Sequence, residues 1–76
     1  MSRHDIRTEV TGSVWQLTLA PGDPVAAGDT VMVLESMKME IPVLAEDPGT
    51  LVEILVAEGE AVAEGQVVAI VDDSVA

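Results

Sequence analysis

The sequence predicts an all-β fold of two small sheets closed over an aliphatic core. Three observations lead there. Apolar and polar residues alternate with a period of two in several short runs, and no stripe of period 3.6 reaches helical length. The apolar residues are mostly Val, Leu, Ile and Ala, with one Trp and no Phe or Tyr, and valine-rich short runs favour strands. The chain also repeats itself. Shifted by 37 positions, all six glycines coincide: Gly12 with Gly49, Gly22 with Gly59, Gly28 with Gly65.

Taken in order, residues 1–4 are polar and are expected to fray. From Asp5 to Thr11, Ile6, Thr8 and Val10 alternate with polar or charged residues, which predicts a half-buried strand ending at Gly12. Ser13 to Ala20 predicts a second strand, with Trp15, Leu17 and Leu19 on one parity and Val14 on the other. A bulge just after Gly12 would turn Val14 inward. Pro21-Gly22-Asp23-Pro24 has turn chemistry, Val25 is a single buried anchor, and Ala26-Ala27-Gly28-Asp29 turns again. Thr30 to Glu35 and Met39 to Leu44 predict two further strands, and Pro42 marks the second as an edge strand or a bulged one. Glu46-Asp47-Pro48-Gly49 turns the chain into the second copy.

In the repeat, Ala20, Val25, Ala26 and Val31 meet identical residues, Ala57, Val62, Ala63 and Val68, and Asp23 meets Glu60 as an acid. Leu17, Leu19 and Val33 meet Ile54, Val56 and Ile70. Matching glycines imply matching turns, because each marks a backbone position that a side chain would strain. One copy alone leaves a hydrophobic face open, and packing two copies by a pseudo-twofold buries both.

Seventy-six residues bound the chain to one domain. The chain has no cysteine, so disulfides and thiolate metal sites are excluded. No apolar run has the length of a membrane span, and no apolar signal segment follows Met1, which leads to the expectation of a cytoplasmic protein. A formal charge of −11 disfavours nucleic acid and anionic lipid, and favours either plain solubility or a basic protein partner. The lone histidine, His4, lies in the expected frayed start, and no nucleophilic triad or metal-ligand spacing exists, which argues against an autonomous enzyme.

Between the two copies lies Glu35-Ser36-Met37-Lys38-Met39-Glu40, which holds the only lysine of the chain. The adjoining strands leave room for a two-residue hairpin with Met37 and Lys38 at its tip. Such turns want Asn-Gly or Gly, because both central residues need φ > 0, so Met-Lys runs against local propensity. Violations of this kind collect at functional sites. The pseudo-symmetric link is where the chain ends, so the termini are expected at the end opposite the tip. Three readings of Lys38 are open: an ordinary surface lysine, a catalytic lysine, or a lysine that another enzyme modifies. A catalytic lysine needs burial or a cationic neighbour, and Glu35 and Glu40 provide neither. Met37 at a tip is expected to be exposed, whereas Met39 is expected to pack under the turn.

These residues resemble the attachment motif of biotinyl domains, the biotin carboxyl carrier proteins and related modules, above all the small stand-alone biotin/lipoyl attachment proteins. The resemblance runs from about Glu9 to Val71 and includes Gly12, the run from Pro21 to Asp29, Gly49 and the run from Glu58 to Gln66. It implies a flattened β-barrel of two four-stranded antiparallel sheets with quasi-twofold symmetry. It implies biotin joined to Lys38 through an amide by a biotin protein ligase, with Met37 and Met39 as flanking recognition residues and Glu35, Ser36 and Glu40 completing the hairpin. It further implies a non-catalytic, monomeric carrier of carboxyl groups from a biotin carboxylase to a carboxyltransferase, with an acyl-CoA or keto-acid acceptor. Lipoyl domains share the fold but usually carry Asp-Lys-Ala at the turn, so the two methionines favour biotin. A lipoyl carrier and a cofactor-free acidic interaction module are the alternatives. Two departures stand out: the family commonly has Ala or Val where Ser36 stands, and there is no room for the protruding thumb loop of some carriers.

Overall fold

A computed structural model describes residues 3–73. It contains eight strands: β1 (Arg3–Arg7), β2 (Gly12–Leu17), β3 (Pro24–Val25), β4 (Thr30–Ser36), β5 (Met39–Leu44), β6 (Gly49–Ile54), β7 (Ala61–Val62) and β8 (Val67–Asp72). They form two antiparallel four-stranded sheets, ordered β1-β8-β6-β3 and β5-β4-β2-β7. The body is elongated, with principal extents of 40 × 19 × 19 Å.

The 37-residue repeat is the symmetry of the fold. It carries β2, β3 and β4 onto β6, β7 and β8, and β1 onto β5. The turn hydrogen bonds repeat with it. Gly22 N–H donates to the Leu51 carbonyl and Gly59 N–H to that of Val14, both at 2.7 Å. Asp23 and Glu60 do the same work: their carboxylates accept from Ala20 N–H and Ala57 N–H at 2.9 and 3.0 Å. Gly22 and Gly59, with φ of 97° and 88°, sit in the left-handed region that those turns require. The segments 18–23 and 55–60 that join β2 to β3 and β6 to β7 are equally long, so the first copy carries no inserted thumb.

The core obeys the same rule. Val14, Val25, Val31 and Leu34 are buried, and so are their counterparts Leu51, Val62, Val68 and Val71. Each sheet thus seals the other, which neither copy achieves alone. Thr8 is buried opposite Ala45 in the repeat, and its hydroxyl is satisfied by the Val10 carbonyl at 2.8 Å.

Three local expectations are corrected. Arg3 and His4 are not frayed; they pair with Asp72 and Val71 of β8, while residues 1–2 lie outside the described part. The first strand ends at Arg7, not Thr11, and the second at Leu17, not Ala20. Val14 does face inward, but the bulge falls at Trp15, between Val14 and Gln16, rather than just after Gly12. Pro42 lies on an edge strand, as its missing N–H requires.

Candidate functional site: the hairpin tip

β4 and β5 pair up to their ends, with Glu35 opposite Glu40 and Ser36 opposite Met39. Only Met37 and Lys38 remain to reverse the chain. Their φ values are 53° and 67°, the two left-handed residues that a two-residue hairpin demands. For residues with a Cβ this costs about 1–2 kcal/mol each. They are the only non-glycine residues with positive φ among those described. The strand register on both sides holds the tip in this state.

The base of the tip is buttressed from β2. A methyl group on Gly12 would collide with the Glu35 carbonyl oxygen, so only glycine lets the chains pass so closely. The Ser36 hydroxyl donates to the Thr11 carbonyl at 2.8 Å, and Glu64 N–H donates to Thr11 Oγ1 at 3.0 Å. The serine therefore fits where a small apolar residue is common, and it adds a tie. Neither Thr11 nor Gly12 was legible as a support of the tip; the repeat marked Gly12 only as the partner of Gly49.

Above that base everything is open. Met37 is 92% exposed and Lys38, Glu35 and Glu40 are exposed. Met39 is 64% exposed and does not pack under the turn. No ion pair holds Lys38 among the described residues. Surface grooves run along the seam between β1 and β5 and beside the β2–β3 link, away from Lys38. Among the described residues no group of three His, Asp or Glu could hold a metal. His4 stands at the other end, where β5 has run away from the tip into Asp47; its Nδ1 lies 3.5 Å from Asp47 Oδ2 and its Nε2 2.8 Å from Asp73 Oδ2. The described ends of the chain, at β1 and at Asp73, thus lie opposite the tip, in line with the repeat.

A duplicated scaffold that holds one amine exposed at a tip, away from those surface grooves, suits a carrier. The family model for biotin-requiring enzymes, covering biotin/lipoyl attachment domains, matches residues 5–71. The chain belongs to this family, as a non-catalytic carrier domain of the biotinyl type. It is 39% identical over 67 residues to a biotinylated protein TB7.3 homolog of Mycobacterium leprae, a match spanning 88% of this chain and 94% of that one. It is also 39% identical over 64 residues to the alpha3 subunit of a biotin-dependent acyl-coenzyme A carboxylase of that organism, covering 84% of this chain and 11% of the subunit. Among solved structures, the urea carboxylase of Kluyveromyces lactis superposes with a TM-score of 0.90 at 36% identity, over 95% of this chain and 6% of that one.

Proposed function

We propose that biotin is joined through an amide to Lys38 by a biotin protein ligase, and that the domain then serves a biotin-dependent carboxylase of the acyl-CoA type. The observation that carries the reading is the two-residue tip itself: strained, buttressed, and holding the only lysine of the chain in open solvent. The amine fits an amide-linked cofactor, since nothing beside it blocks a ligase from any side. When attached, biotin supplies a ureido nitrogen that takes up and gives up a carboxyl group. The chain supplies position. A tether on a rigid body makes each encounter with an enzyme site nearly intramolecular, at effective concentrations on the order of mM. Forming the amide releases a proton from the amine nitrogen, and a base of the ligase has to accept it. Met37 and Met39 offer the adaptable apolar contacts beside it. The acyl-CoA assignment draws on the mycobacterial carboxylase subunit.

The test is intact mass after co-expression with a biotin protein ligase. One biotin increment is expected on the wild type and none on Lys38→Arg. A lipoyl-sized increment, or an unmodified wild type, rejects the reading.

A further inference from the structure

The outer face of the sheet that carries the tip has no explanation in the packing. Leu34 and Val14 are buried and paired, so the neighbours Val33 and Glu35 on β4, and Glu40 and Pro42 on β5, turn outward. The bulge in β2 adds Trp15 to this face. It is the only aromatic residue of the chain, and it is 50% exposed. An indole carries a large apolar ring surface, and a fold of this size would gain by covering it. Its counterpart in the repeat, on the outer face of the other sheet, is the smaller Val52.

The charges on the same face are one-sided. Both arginines lie on β1, in the other sheet, so Lys38 is the only Lys or Arg of the tip sheet. Glu35 and Glu40 stand directly opposite each other with no cation between them, an arrangement that destabilises a sheet. Apolar Trp15, Val33 and Pro42 below, and two uncompensated acids above, complement one kind of surface: an apolar pocket rimmed by arginine or lysine.

Distance ties this face to the amine. Trp15 lies beside the Val33–Leu34 level of β4, roughly 15 Å of strand from Lys38 at about 3.3 Å per residue. A standard protein interface covers about 800 Å² per partner, a disc of roughly 16 Å radius. One footprint centred between the tip and Trp15 therefore covers both, with Trp15 well inside its rim.

We infer that Trp15 is the anchor of a docking face, completed by Glu35 and Glu40, for the enzyme that modifies Lys38, and that this enzyme receives it in a basic-rimmed apolar pocket. The inference rests on the reading of Lys38 above. Its test is the steady-state rate of biotin transfer by a biotin protein ligase to wild type, Trp15→Ser, Trp15→Phe and Leu55→Ser. Leu55 is a comparably exposed apolar side chain, at 42%, following β6 of the other sheet. Anchoring tryptophans are worth enough that kcat/KM of Trp15→Ser is expected to fall about tenfold or more, mostly through KM. Trp15→Phe is expected to recover part of it, and Leu55→Ser to stay within about twofold of wild type, the scatter of a neutral surface change. Melting curves confirm folding of each variant, and Trp15→Phe stands in should Trp15→Ser unfold. Equal KM values for the two serine variants overturn the docking face while leaving Lys38 as acceptor. No transfer to the wild type overturns both.

Discussion

The molecule closes its two ends in the same way and charges them differently. At the terminal end, β1 and β8 pair with Arg3 opposite Asp72, and the two side chains approach to 3.9 Å. At the tip, the repeat places Glu40 where Arg3 stands and Glu35 where Asp72 stands, again directly opposite. One backbone frame thus holds an opposite-charge pair at one end and a like-charge pair at the other. The close glycine passage is common to both: a methyl group on Gly12 would strike the Glu35 carbonyl, and one on Gly49 that of Asp72. The shared features are therefore what the fold needs. The feature that differs is a local cost carried only at the end that presents Lys38.

The largest effect expected from breaking this comparison comes from the glycines. Gly12→Ala and Gly49→Ala should each lose about 1–3 kcal/mol, the usual cost of forcing a methyl group into a packed site. Denaturant midpoints should fall in both, and at least as far in Gly49→Ala, whose φ of 159° is one that side chains rarely adopt. Biotin incorporation should slow only in Gly12→Ala, whose strain falls on the base of the tip. Equal slowing in Gly49→Ala at matched stability would show that the buttress has no functional part.

How far these features could be read in advance follows from what repeats and what does not. The glycine register, the left-handed pair Met37–Lys38 and the paired core positions were legible, because period, spacing and turn chemistry constrain the backbone directly. The seat of Trp15 was not. Parity shows that Val14 and Leu17 cannot both face inward on a regular strand, but it does not say which residue the bulge expels. The support at the base of the tip was missed for another reason: the Ser36 hydroxyl meets the Thr11 carbonyl, a contact between residues 25 positions apart that no local pattern reveals. The pairing of His4 was hidden likewise, because its partners Asp47 and Asp73 are brought to it only by the closed sandwich.

Smaller in size, but aimed at the charge difference itself, is Glu40→Arg. It recreates at the tip the pair present at the terminal end. Replacing a like-charge cross-strand pair by an opposite one should raise stability by up to about 1 kcal/mol, the scale of an exposed pair. The same change should slow biotin transfer and flatten its dependence on salt, because steering toward a basic enzyme face is weakened. A variant that is stabilised and still modified at the wild-type rate, with the wild-type salt dependence, would separate the acids from function.

The smallest effect belongs to the terminal end and should leave the tip untouched. The hydrogen bond from His4 to Asp73 raises the imidazole above its ordinary value of 6.5, helped by the charges of Asp47, Asp73 and Asp72 against partial desolvation. A histidine held above its unfolded value binds its proton more tightly in the folded state. Its contribution is therefore fully present below pH 6.5 and is lost as pH rises through the raised value. The stability of wild type relative to His4→Gln, followed by thermal melting from about pH 5 to about pH 9, should be greatest at the acid end and should shrink on the alkaline side. A difference that does not change with pH would mean that the imidazole contributes by packing alone. Biotin transfer to His4→Gln should match wild type across that range, since the imidazole sits at the end of the sandwich from which β5 departs only after leaving Lys38 behind.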